Sequence, residues 1–157
     1  MASHDGQIAL NDDRYSNLTY SSLGHFITYV AQHNHVFKES VLDNICLKDV
    51  KDCPTSEIED VLQQANAHHL RENTDATLLS GGEQQRVAFA RALFHKKEVL
   101  IIDEGLSQVQ SDVRLRMLKH ILEDPDLTLI YVSHDINDFK LNFSRRIHCV
   151  NGVVEDS

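Results

Sequence analysis

The run Val99-Leu100-Ile101-Ile102 leads directly into two acids, Asp103 and Glu104, and a second run, Thr128 to Val132, ends in Ser133-His134. Between them Leu115, Leu118 and Leu122 fall on one side of a helix that stops near Asp124-Pro125. Strand, helix, strand at this spacing is a right-handed crossover, which places both strands in one parallel sheet. The chain is thereby confined to an α/β architecture. Polar groups at the carboxyl ends of such strands lie where open α/β sheets bind ligands.

With two prolines and six glycines in 157 residues, turn signals are sparse and each one carries weight. Gln7 to Leu10 reads as a short strand closed by Asn11-Asp12-Asp13, and Phe26 to Ala31 as a buried strand. After Pro54, a capping box of Ser56 and Glu59 precedes Ile58, Val61, Leu62 and Ala65 at helical spacing, predicting a helix of about four turns. A second capping box, Ser80 and Glu83, opens a helix with Val87, Ala90, Arg91 and Phe94 on one face. Ile147 to Val154 reads as a hairpin whose Asn151-Gly152 centre demands a type I′ turn.

Composition excludes several classes. The hydrophobic share of 41% and charged share of 25% suit a globular domain, and the length suits one domain. With 15 basic against 24 acidic residues the formal charge is −9, which argues against nucleic acid as a partner. No apolar run approaches the roughly 20 residues of a membrane span, and the start lacks the basic flank and apolar core of a secretory signal. Cys46, Cys53 and Cys149 are odd in number and form no C-x-x-C pair, which suits a reducing cytosol.

Leu79-Ser80-Gly81-Gly82-Glu83 is a helix start with two glycines and a hydroxyl, where bare N–H groups and the positive end of the helix dipole can meet an anion. Taken alone, the segment reads equally as a plainly capped helix. Asp103 and Glu104 supply paired carboxylates at a strand end. One such acid can hold Mg²⁺ through water while the other polarises an attacking water. His134, at the end of the next strand, is placed to contact a terminal phosphate.

LSGGE, VLIIDE and YVSHD, in this order, resemble the signature, Walker B run and switch histidine of the ATP-binding cassette (ABC) ATPases. Gln32 in YVAQHNHVFKESVLDNI is similar to the family's Q-loop, and the FKESVLDNI form resembles exporters. The resemblance extends from Gly6 to Glu155. It implies ATP and Mg²⁺ as cofactors, with Asp103 and Gln32 supporting the metal, Glu104 as general base and His134 stabilising the transferring phosphoryl group. It also implies that Ser80, Gly81, Gly82 and Glu83 face a nucleotide held by the opposite subunit, and that Ser107 opens the D-loop. The implied partners are a transmembrane domain and a second ABC ATPase domain, homo- or heterodimeric, at the cytoplasmic, inner face of the membrane.

One part of the family pattern does not occur in these residues. None of the glycines falls in G-x-x-x-x-G-K-[ST], the loop whose lysine reaches the β- and γ-phosphates. In the family that loop precedes the segment resembling Gly6 to Leu10, so the chain reads as the C-terminal portion of a cassette. The expected fold is therefore an incomplete P-loop NTPase parallel sheet with a small helical subdomain and a C-terminal β-hairpin. Residues 38–95 would form the helical, signature-bearing part, and residues 6–37 and 96–157 the catalytic-core portions of one partial domain, 1–157. An incomplete sheet also predicts an unpaired strand edge. The expected function is ATP hydrolysis coupled to transmembrane transport, with the isolated chain weak or inactive. The alternative is a non-catalytic interaction subunit donating LSGGE in trans. Gln110 stands where the family has the D-loop aspartate, and Asn44 to Leu79 is shorter than in most exporters.

Among the remaining candidates, His33, His35, His68 and His69 lack carboxylate or cysteine neighbours at ligand spacing and read as surface groups. Cys46 and Cys149 read as buried thiols. Glu57, Glu59 and Asp60 read as a solvated helix face.

Overall fold

The computed structural model describes residues 6–156. Residues 1–5 and 157, which the sequence reading placed in the same domain, lie outside the described residues. A small hairpin comes first: β1 (Ala9–Leu10) pairs antiparallel with β2 (Asp13–Arg14) around Asn11, whose φ of 53° makes the turn. Helix α1 (Tyr20–Phe26), capped by Thr19 and Ser22 reciprocally, runs directly into β3 (Ile27–Val30).

The central sheet has three parallel strands in the order β3-β4-β5, with β4 at Val99–Asp103 and β5 at Thr128–Val132. Helix α5 (Ser111–Leu122) makes the crossover between β4 and β5, as the sequence pattern requires. Val30 pairs in register with Ile102, and Ile102 with Tyr131, so alternate residues of all three strands share a face. Val30, Leu100 and Ile102 turn that face into the core. Tyr29, Ile101 and Ile130 form the opposite row, where Tyr29 is 55% and Ile130 48% exposed. Parallel sheets bury both faces, but among the described residues nothing covers this one. Among the described residues each outer strand pairs only with β4, so the predicted unpaired edge is present. The segment Phe26 to Ala31 is accordingly corrected. Phe26 ends a helix, and only Val30 of the strand is buried.

The helical layer is built on α4 (Gly81–Phe94), whose Val87, Phe89 and Ala90 are fully buried against α2 (Val41–Cys46) and α3 (Thr55–Gln64). Ser40 caps α2 by accepting from Asp43 N at 3.1 Å. The capping box expected at Ser56 and Glu59 does not form. Pro54 is the N-cap, so Ser56 already lies inside the first turn, and Glu59 turns instead to Arg71 and to His68 Nε2 at 3.1 Å. With 10 residues, α3 has fewer turns than expected.

The buried face of α5 is also displaced from the leucine stripe. Val113, Met117, Leu118 and Ile121 are buried together with Arg114, while Leu115 and Leu122 are only partly covered. Val113, Met117, Leu118 and Ile121, at helical spacing, set this face, and Arg114 is buried beside them by its pairing with Asp135 and Asp138. The tail forms the expected hairpin, β6 (Ile147–Val150) with β7 (Val153–Asp156), and Asn151 and Gly152 take the positive φ values of 50° and 79° that a type I′ turn needs. Cys149 lies exposed on this hairpin and is not a buried thiol, since among the described residues β6 and β7 pair only with each other. No helix among the described residues is long and apolar enough to cross a membrane.

Candidate functional site

At Glu104 the strand stops and the backbone turns left-handed, with φ 51°. That conformation is uncommon for a side chain other than glycine. Two backbone bonds hold it: Glu104 N–H donates to Val132 O at 3.1 Å, and Ser107 N–H donates to Glu104 O at 3.0 Å. Gly105 follows because a Cβ there would stand 2.6 Å from Val30 Cγ1 and 2.9 Å from Val30 O, inside contact distance.

The turn presents the Glu104 carboxylate between two partners. Gln32 Nε2 donates to one oxygen at 2.8 Å, and His134 Nδ1 lies 3.2 Å from the other. Asp103, one residue earlier, points to the uncovered face of the sheet and accepts from the Tyr29 hydroxyl at 2.9 Å. That hydrogen bond, with minor burial and the Asp103 charge, raises the Tyr29 pKa, so the phenol stays a proton donor. Gln32, the Asp103 to Ser107 turn with Glu104, and His134, from three separate segments, therefore lie at the carboxyl ends of the three strands.

The oxygens of Asp103 and Gln32 are hard ligands of the kind Mg²⁺ takes, a cation that uses one or two protein groups and completes its shell with water and phosphate oxygens. Among the described residues no three His, Cys, Asp or Glu side chains gather into a self-sufficient metal centre. A cavity of about 40 Å³, lined by Glu104, Ser107, Arg114, Tyr131, Ser133, His134 and Asp135, adjoins this cluster. It has room for water beside the carboxylate.

Ser80, Gly82 and Glu83 line a different groove, of about 320 Å³, together with Arg86, Gln108 and Gln110. The capping box forms as expected: the Glu83 carboxylate accepts from Ser80 N–H at 2.9 Å and from Ser80 Oγ at 2.6 Å. Those bonds from Ser80 hold the Glu83 pKa below its ordinary value. Gly82 is required sterically, because a Cβ there would lie 2.6 Å from the Gln108 carbonyl oxygen. At Gly81 a Cβ would meet the end of the flexible Gln108 side chain, which can move aside, so the steric demand there is weaker.

Sequence reasoning missed the residues that join these parts. Gln85, 4% exposed, donates from Nε2 to Gln32 O at 3.3 Å and accepts from Gln108 N–H at 2.8 Å, linking α4 to both loops. Arg91 donates to Asn44 O at 2.6 Å, to Asn44 Oδ1 at 2.7 Å and to His35 O at 2.8 Å, and lies 5.3 Å from the Phe37 ring centre. Burial lowers the Arg91 pKa. Asn44 is itself fully buried, pairing with Phe37 N–H at 2.8 Å. The available signal was a polar residue on an otherwise apolar helix face: Gln85 on α4, Asn44 on α2 and Arg114 on α5.

A parallel α/β sheet with carboxylates, glutamine and histidine at its strand ends, next to a glycine-rich helix start, defines the chain as a member of the ABC transporter family, whose model matches residues 1–107. It is a nucleotide-binding family. The chain is 29% identical over 98% of its length to the SPbeta prophage-derived sublancin-168-processing and transport ATP-binding protein of Bacillus subtilis (strain 168), covering 23% of that protein. It is 30% identical over 84% of its length to the pediocin PA-1 transport/processing ATP-binding protein of Pediococcus acidilactici, covering 20% of it. An ATP-dependent lipid A-core flippase of Francisella tularensis subsp. holarctica (strain OSU18) is 29% identical over 98% of the chain, which covers 27% of the flippase. The structure of a bacterial Atm1-family ABC exporter with ATP bound superposes with a TM-score of 0.74 over 83% of the chain and 25% of the exporter, at 25% identity. The chain thus spans about a quarter or less of the length of these curated relatives.

Proposed function

We propose that the chain forms the hydrolytic and signature-bearing part of a cassette that couples ATP hydrolysis to transport across a membrane. The observation that carries this reading is the Glu104 carboxylate held between Gln32 Nε2 and His134 Nδ1. Magnesium, when bound with ATP, would supply charge neutralisation for the phosphates. Asp103 and Gln32 would hold it, each through a side-chain oxygen near the strand ends. Glu104 is placed to take the proton of an attacking water, and the hydrogen bond from Gln32 orients the accepting oxygen. His134, with Nδ1 on Glu104, leaves Nε2 to stabilise a transferring phosphoryl group. Ser107 N–H on Glu104 O fixes the turn that aims the carboxylate.

Ser80, Gly81 and Gly82 would receive the terminal phosphate of a nucleotide held by a second cassette. In the structure the Ser80 hydroxyl donates to Glu83, so an arriving anion exchanges one acceptor for another. Residues 38–95 act as the helical, signature-bearing part and residues 6–37 and 96–157 as the catalytic core, docked on a transmembrane domain at the cytoplasmic face. The unpaired outer edges of the three-stranded sheet and the absence of G-x-x-x-x-G-K-[ST] from the 157 residues favour completion of the sheet by a further strand that carries the phosphate loop.

The capped helix start at Ser80, in the groove it lines with Gly82 and Glu83, supports a second reading, in which the chain donates Ser80 to Gly82 in trans and hydrolyses nothing itself. ATP turnover by the assembled transporter separates the two. Under the first reading Glu104→Gln lowers turnover by roughly 10²-fold or more. Under the second, Glu104→Gln leaves turnover unchanged while Ser80→Arg abolishes it. If neither substitution changes turnover, both readings fail.

A further inference from the structure

The His134 side chain is 77% exposed, so little packing holds the ring at Glu104. Its position depends on the backbone that flanks it, and that backbone is tied to one guanidinium. Arg114, a side chain 4% exposed on α5, donates from Nε to Asp138 Oδ1 at 3.1 Å, from Nη2 to Asp135 Oδ2, and from Nη1 to Val109 O at 3.0 Å. Asp135 directly follows His134. Val109 belongs to the turn that begins at Glu104, where its own N–H donates to Leu106 O at 3.1 Å.

The acceptors are locked in their turn. Asp138, 6% exposed, also accepts from Tyr131 Oη at 2.7 Å and Ser133 Oγ at 2.6 Å, and Ser133 Oγ accepts from Asp135 N–H at 3.1 Å. Burial opposes the Arg114 charge, but the Asp135 hydrogen bond and the Asp138 charge outweigh it and raise its pKa. Both residues beside His134 are thus fixed to a network centred on Arg114. The third arm of the same fork holds the loop that aims Glu104.

We propose that Arg114 is a positioning residue: its three-armed fork sets the distance between His134 and Glu104 by holding their two loops to one rigid group. The proposal rests on the reading of Glu104 and His134 as the hydrolytic pair. Planarity is the requirement here, because a lysine ammonium keeps the charge but cannot direct fixed donors at three acceptors on different elements. Reacting groups displaced by about 1 Å lose on the order of 10² in rate.

The test uses Arg114→Lys, Arg114→Met and Asp135→Asn, with Leu118→Ala as a core reference on the same helix. In the 157-residue chain, nuclear Overhauser contacts between the His134 ring and the Glu104 side chain, and amide exchange at Asp135 to Asn137, are read under conditions where each variant is folded. The expected result is loss of the His134–Glu104 contact and at least about tenfold faster exchange in Arg114→Lys and Asp135→Asn, with neither change in Leu118→Ala. Should Arg114→Met fail to fold, the other two variants decide. An intact contact in folded Arg114→Lys and Asp135→Asn overturns the proposal, as does an equal loss in Leu118→Ala. In the assembled transporter, Arg114→Lys should lower kcat about tenfold with KM for ATP unchanged. An unchanged kcat overturns the positioning role if Glu104→Gln lowers turnover. If Glu104→Gln also changes nothing, the hydrolytic reading is what has failed.

Discussion

Replacing Gln85 with leucine removes the one side chain of α4 that reaches both the Gln32 and Gln108 backbones. The glutamine is 4% exposed, and leucine occupies similar space, so the change removes hydrogen bonds with little loss of volume. Two bonds count: Gln108 N–H to Oε1 at 2.8 Å and Nε2 to Gln32 O at 3.3 Å. The contact to Ser107 Oγ, at 3.5 Å, is too long to add much. Because Gln32 and Gln108 are exposed residues, water can reach part of each orphaned backbone group, and each loss falls toward the low end of the range for an unmade bond. The sum is about 2 kcal/mol. Equilibrium urea unfolding should show this as a midpoint lowered by roughly 1 M, given a typical m-value for a chain of this size. Gln63→Leu, on the exposed side of α3, should stay within about 0.5 kcal/mol of the parent. The Gln108 amide should also exchange faster in Gln85→Leu. A loss below about 0.5 kcal/mol with Gln108 protection retained would show that Gln85 does not hold the two loops together.

Two further outcomes are expected. Hydrogen bonds from Asn137 N–H and then from Arg114 lower the Asp135 pKa to about 2, against roughly 3.9 in an unfolded chain. The stabilisation is therefore complete above the unfolded value and is lost as pH falls from about 4 through about 2. Urea midpoints should drop over that window and drop less in Asp135→Asn; equal slopes would rule out the contribution. Among the thiols, burial and then the Cys53 neighbour push Cys46 up to about 12, Cys53 is buried, and Cys149 is exposed. Ellman's reagent should give a fast phase in the native chain that Cys149→Ser abolishes, and survival of that phase in Cys149→Ser would contradict the assignment.

The candidate site was legible because its residues lie at strand ends and a helix start, positions that local pattern marks. Asp103 and Glu104 close an apolar run, His134 closes the next, and Ser80 with Glu83 forms a capping box within four residues. The hairpin at Asn151-Gly152 was legible for the same reason, since a type I′ turn needs two positive φ angles in adjacent residues. Helix α1 was not, because its termination at Phe26 inside an aromatic, β-branched run has no local signal. The capping box at Ser56 failed because Pro54 began the helix first.

The sequence by itself determined the parallel α/β arrangement, the family and the residues at the strand ends, since periodicity and short motifs report on atoms close along the chain. Only the tertiary structure decided which neighbours hold those residues in place. Apart from the Arg114 bond to Val109, five positions away, Gln85, Arg91 and Arg114 act on partners between 21 and 56 positions away, and a buried polar group on a helix looks locally like an interruption of the core. Burial forces such a group to find a partner wherever the fold brings one. Packing therefore decided that Glu104 meets Gln32 and His134, and that Arg114 joins the loops behind them.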